Sequence, residues 1–119
     1  MKIVILLSLI FLGLPSGAQA RPEFICSLYH AKRVIALASS HSTYDKNRHC
    51  SVSCMLALKC VDAEVMMIGY LKEFEDVFTP GDCDVQDLKA DAFGISLSAK
   101  GAATTDKECL SQCDLYYHQ

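Results

Sequence analysis

Tryptophan is absent from this chain of 119 residues, and there are only three prolines and six glycines. Without tryptophan there is no aromatic platform of the kind that binds sugars. No H-E-x-x-H, no phosphate-binding glycine loop and no Ser-His-Asp arrangement can be read from the residues. No run of alternating β-branched residues is long enough to build a sheet, and no repeat or low-complexity tract is present. Lysine and arginine are never clustered, and the formal charge is −3. That excludes an electrostatic nucleic-acid binder and a ligand for anionic membranes.

The long apolar run that does occur is at the N-terminus. Met1-Lys2 is a short basic start, Ile3 to Leu14 is apolar, Pro15-Ser16-Gly17 breaks it, and Ala18-Gln19-Ala20 fits a small-residue cleavage site. This layout predicts a secretory signal peptide over residues 1–20, removed before Arg21. The run is shorter than the ~20 residues that span a bilayer. No cysteine follows the cleavage site directly, so lipid attachment is not expected. Cleavage leaves one domain, residues 21–119, with Lys2 gone and a formal charge of −4. The mean hydropathy of +0.21 is raised by the leader and is no sign of membrane affinity.

All seven cysteines (Cys26, Cys50, Cys54, Cys60, Cys83, Cys109 and Cys113) follow the leader. In a small exported chain they read as a disulfide framework, and the expected location is secreted or periplasmic. The count alone leaves the pairing open. Cys50/Cys54 and Cys109/Cys113 are each four residues apart, so each pair shares one helix face. Two antiparallel helices would then be joined twice, Cys50 to Cys113 and Cys54 to Cys109. Two of Cys26, Cys60 and Cys83 would supply a third bridge. The remaining thiol stays free or links two copies into a homodimer.

Two sharper readings of the same residues are available. His49, Cys50, Cys54 and Cys60 offer four ligands for zinc; oxidising export favours disulfides over that site. A catalytic thiol at Cys50 with His49 as base is opposed by geometry, since neighbouring helical residues point about 100° apart. The expectation is no cofactor and no metal.

Helical periodicity runs through the rest. Phe24, Leu28, Ala31 and Ile35 form one apolar stripe, in a helix that should end near Ala38 before the polar Ser39–Asn47 stretch. A second helix is expected from about Lys46 to Lys59. A third is expected from Asp62 to Phe78, with a stripe of Met67, Leu71, Phe74 and Phe78. Thr79-Pro80-Gly81-Asp82 is a turn. Val85 to Phe93 reads as a short helix ended by Gly94 as its C′ residue, and Ile95 to Ala103 as irregular. Thr105 and Glu108 form a capping box for a last helix carrying Cys109, Leu110 and Cys113. Tyr116-Tyr117 are expected to pack beneath the cysteine ladder.

Acidic residues crowd Glu73, Glu75, Asp76, Asp82, Asp84, Asp87 and Asp91. Glu73/Asp76 and Asp87/Asp91 each share a helix face. They read as a solvated face, with Asp84 and Asp87 near a helix N-terminus. The functional alternative is an acid/base site using Glu73, Asp76, Asp87 or Asp91 beside the Gly81 turn. Asp82-x-Asp84 lacks the glycine and terminal glutamate of an EF-hand loop.

The pattern Gly69-x-x-Lys72-Glu73-x-x-Asp76-x-Phe78-x-Pro80-Gly81-Asp82, with Asp87-Leu88-x-Ala90-Asp91-x-x-Gly94 after it, resembles a segment of small secreted bacterial proteins of unknown function. It also resembles segments near the C-termini of Rhs-type polymorphic toxins, whose cysteine-bearing helix is similar to His49-Cys50-x-x-Ser53-Cys54 with Cys60. Asp87-x-x-Ala90-Asp91-x-x-Gly94 is similar to a segment of serum amyloid A, which has asparagine in place of Asp91 and a spacing different by one. The resemblance covers about half of the expected mature chain. It implies an all-helical fold in which Asp87, Asp91 and Gly94 fix a helix–turn, and it implies no reaction.

The reading is an all-α, disulfide-stapled bundle of four or five helices. The expected function is that of an exported binding or interaction protein of toxin-associated, inhibitor or immunity type, whose partner is another protein. The alternatives are a small secreted hydrolase using the acidic residues, or a carrier of lipid or another small ligand.

Overall fold

The computed structural model describes residues 24–69 and 84–118. The expected leader, the expected turn at Gly81, Glu73, Asp76 and Cys83 lie outside these residues. The fold is an all-α bundle held by three disulfides, with no strand among the described residues. Helix α1 is Phe24–His41 and α2 is Asp45–Ala57. A third helix, α3, occupies 62–69 up to the edge of the described residues. Helix α4 is Val85–Ala99 and α5 is Asp106–Tyr116.

Helix α2 is the centre, with α1, α4 and α5 all packed on it. Its buried residues are Asn47, Cys50, Ser51, Ser53, Cys54, Met55 and Leu56, so it is enclosed although three of these seven are polar. Small side chains let neighbouring helices come close, and each buried polar group needs a bonded partner in exchange. Ser51 Oγ donates to Asn47 Oδ1 at 3.2 Å. Asn47 Nδ2 donates to Asp114 Oδ1 at 2.7 Å and to the Tyr117 carbonyl at 2.9 Å, which ties α2 to the end of α5.

The disulfides Cys50–Cys113 and Cys54–Cys109 join α2 to α5, with Cα separations of 5.9 and 5.7 Å. All four cysteines are fully buried. Cys26–Cys60 joins the start of α1 to the corner after α2. At that corner the buried Glu64 of α3 accepts from the Ser27 amide at 2.9 Å, satisfying one of the unpaired N–H groups of the first turn of α1. These three bonds use six of the seven cysteines; the seventh, Cys83, is outside the described residues.

Three local expectations are corrected. Helix α1 buries Ser27, Val34 and Ala38, whereas Leu28 and Ile35 are 64% and 50% exposed. Leu28/Ile35 and Val34/Ala38 both have helical spacing, so periodicity alone could not choose between the two faces. The helix also continues past Ala38 to His41, where His41 Nε2 meets Asp114 Oδ2 at 2.6 Å. The third correction concerns Gly94, which is no C′ residue: α4 runs through it to Ala99. A Cβ there would lie 2.2 Å from the Cys50 carbonyl oxygen and 3.0 Å from the Cys54 nitrogen, so the glycine allows backbone-to-backbone contact between α4 and α2. The helix-ending glycine is Gly101 (φ 71°), whose amide donates to the Ser98 carbonyl at 3.1 Å.

At the start of α5, Thr105 caps the helix, its Oγ1 accepting from the Glu108 amide at 3.1 Å. The Glu108 carboxylate reaches one residue beyond the expected box, accepting from the Thr104 amide and hydroxyl at 2.6 and 2.8 Å. These bonds hold Glu108 ionised below its ordinary pKa. Tyr117 packs against the core, while Tyr116 is 63% exposed and lies edge-on to Phe93 at 4.5 Å.

Candidate functional site: a histidine among carboxylates beside an apolar cleft

His49 and Ser53 occupy the stripe of α2 next to the one that carries Cys50 and Cys54. They face α4, where Asp87 and Asp91, also four apart, form the opposing row. Asp87 and Asp91 are only 6% and 4% exposed, so the expected solvated acidic face is corrected for both of them. The carboxylates are tolerated because α2 supplies their partners. Asp91 Oδ1 accepts from Ser53 Oγ at 2.9 Å and is 3.0 Å from His49 Nδ1. His49 Nε2 lies 3.5 Å from Asp87 Oδ2 and 3.8 Å from Asp45 Oδ2. Lys46 Nζ bonds to both Asp87 Oδ1 and Asp84 Oδ2. Asp84 also caps α4, accepting from the Gln86 amide at 2.8 Å.

The electrostatics follow from this arrangement. Burial disfavours the imidazolium of His49. The Asp91 hydrogen bond and the fields of Asp91, Asp87 and Asp45 outweigh burial, and its pKa is raised above the ordinary 6.5. Burial also opposes the charged form of Lys46, and the bonds to Asp84 and Asp87 overcome it and push its pKa up. The same bond from Lys46, with the Gln86 amide, lowers the pKa of Asp84.

This network borders a cleft of about 400 Å³ between α1, α2 and α3. Ala31, Ile35, Val52, Leu56, Val65 and Ile68 give it apolar walls, and Asp45, Arg48, His49, Ser53 and Asp91 line its polar part. Gly69 of α3 sits against Asp91: a Cβ there would be 2.7 Å from Asp91 Oδ2. Thus Ala31 and Ile35, two residues of the expected core stripe, line the cleft.

The structure separates the candidate site residues. Asp87 and Asp91 come together, against His49. Glu73 and Asp76 lie outside the described residues. The zinc set of His49, Cys50, Cys54 and Cys60 does not assemble, because all three sulfurs are in disulfides and offer no thiolate. The ligand-type atoms that do converge on His49 belong to Asp45 and Asp87, all within 4.8 Å of one another. Sequence reasoning missed Lys46, Asp45 and Ser53. The available signal was the i,i+4 series Asp45, His49, Ser53, which runs along α2 as Asp87/Asp91 does along α4.

No family model matches the chain, and no curated protein or solved structure matches it. No helix among the described residues is long and apolar enough to cross a membrane.

Proposed function

We propose that this is an exported binding protein and that the α1–α2–α3 cleft takes hold of an apolar segment of another protein. The observation that carries the reading is the cleft itself, whose apolar walls continue onto the half-exposed Ile35 of α1. An apolar surface of this kind beside polar residues is typical of recognition sites. The disulfide framework suits a secreted or periplasmic setting. The resemblance to toxin-associated segments is what favours an inhibitor or immunity role.

The test is a photo-crosslinking residue at position 35 in the exporting cell, compared with the same residue at position 115. Leu115 is also exposed, at 67%, but does not line the cleft. A discrete protein adduct from position 35 alone, lost on adding Val52→Glu, supports the reading. Equal adducts from both positions, or none, overturn it.

A second reading, a small-ligand carrier, is favoured by the cleft volume, which lies in the range of small-molecule sites. Co-purified lipid seen by native mass spectrometry, or a rise in Tm with medium-chain fatty acids, would support it; neither would count against it. The hydrolase reading has less support, because Asp87 and Asp91 are engaged by Lys46, His49 and Ser53. Full retention of any hydrolytic activity by Asp87→Asn would remove that carboxylate from consideration.

A further inference from the structure

We propose that Asp45 Oδ2, His49 Nε2 and Asp87 Oδ2 form a three-ligand site for a divalent metal ion of the zinc type, opening on the cleft. The proposal is independent of the partner-binding reading.

Three observations carry it. The first is the donor set. Asp45 and His49 are four apart on α2, a spacing that puts two ligands on one helix face, and Asp87 supplies the third from α4. Nε2 is 3.5 Å from Asp87 Oδ2 and 3.8 Å from Asp45 Oδ2. A tetrahedral ion with bonds of about 2.0–2.2 Å holds its ligand atoms about 3.3 Å apart, so each carboxylate oxygen needs only a few tenths of an ångström of closure on Nε2, and the two oxygens, within 4.8 Å of each other, draw together around the ion. Asp45 is half exposed, so its side chain has room to make that movement.

The second is the orientation of the ring. Asp91 Oδ1 is 3.0 Å from Nδ1 and accepts its proton, and Asp91 is in turn fixed by Ser53. A carboxylate behind a histidine selects the tautomer that presents Nε2 to a metal and raises its basicity. Asp91 is therefore a positioning residue and not a ligand.

The third is the allocation of oxygens. Arg48 bonds to Asp45 Oδ1 at 3.3 Å, and Lys46 bonds to Asp87 Oδ1. In both carboxylates it is Oδ2 that is turned to Nε2. Lys46 Nζ, 3.9 Å from Asp45 Oδ2, is the resident cation against which the metal competes. A metal on the two Oδ2 atoms leaves the Lys46–Asp87 Oδ1 and Arg48–Asp45 Oδ1 bonds in place.

The experiment is a Zn²⁺ titration of the oxidised protein against a chromophoric chelator, with NMR of the histidine rings. The variants are Asp45→Asn, His49→Gln and, as a control among the other histidines, His41→Gln. The expected result is one zinc per chain with the His49 ring signals shifted. Affinity should be unchanged in His41→Gln, weaker by about tenfold or more in Asp45→Asn, and lost in His49→Gln. If His49→Gln fails to fold, Asp45→Asn decides, since that side chain lies at the surface. No uptake by the parent protein, or uptake undiminished in Asp45→Asn, overturns the proposal.

Discussion

Helix α2 is held on two adjoining sides by opposite means. Toward α5 the join is covalent: the Cys50/Cys54 stripe is bonded to Cys113 and Cys109, fully buried. Toward α4 no covalent bond is made. The helices meet backbone to backbone at Gly94, flanked by the His49–Asp91–Ser53 and Lys46–Asp87 contacts. The two stripes are offset by a single residue on α2. The difference teaches that the covalent side is insensitive to protons and close contact, whereas the ionic side depends on both. The ionic side is also the one that borders the cleft, so chemistry and ligand response are expected there.

The largest effect should come from the covalent side. Replacing Cys50, Cys54, Cys109 and Cys113 by alanine releases a loop of about sixty residues and should lower stability by about 4 kcal/mol in urea unfolding. Removing one rung alone should cost much less, because the surviving rung closes nearly the same loop. If one rung costs about half as much as two, the ladder stabilises through local packing at each bond and not through loop closure.

On the ionic side, Gly94→Ala puts a methyl group against the Cys50 carbonyl, which cannot move without shifting α2. A loss of about 3 kcal/mol is expected, with the disulfides intact. A change below about 0.5 kcal/mol would mean that α4 is not seated as described.

Asp91→Asn should cost about 2 kcal/mol, since it replaces a charge-assisted acceptor of His49 and Ser53 by a neutral one. It should also change the pH profile. His49's pKa is raised by folding, so in the metal-free protein its contribution is complete below 6.5 and is lost as pH rises through the raised value. Unfolding curves taken across that window should show an alkaline decline in the parent that is smaller in Asp91→Asn. Equal declines would mean that Asp91 is not the main partner.

The smallest effect lies at the surface. Asp106 accepts from Arg33 at 2.8 Å and from Lys59 at 3.2 Å, and these bonds lower its pKa against the opposing effect of burial. Its contribution is therefore present above the ordinary carboxylate range and is lost as pH falls through the lowered value, the reverse of His49. Asp106→Asn should cost about 0.5–1 kcal/mol, reduced further by salt. A larger loss would show that this pair shares the work of the buried seams.

The legible parts of the molecule are those governed by neighbours in the chain. The i,i+4 cysteines imply the ladder, and Thr105 with Glu108 marks the start of α5, because helix pitch and capping are local. Three other features were hidden for lack of long-range information. Asp87 and Asp91 look like surface acids until Lys46 and His49, some forty residues earlier, are brought opposite them. Gly94 has the look of a helix end because the local rule for glycine is stronger than any sign of a helix crossing. Leu28/Ile35 (seven apart) and Val34/Ala38 (four apart) both fit a helix stripe, and only packing on α2 says which pair is inside.

By itself, the sequence determined the helical class, the phase of the cysteines along α2 and α5, and the cap of α5. Each follows from a period of 3.6 residues and from groups within four positions of one another. The tertiary structure alone decided which face of α1 is buried, that α4 passes through Gly94, and that Asp45, His49 and Asp87 converge beside a cleft. Those outcomes depend on distances between segments far apart in the chain, set by the close approach of backbones around α2.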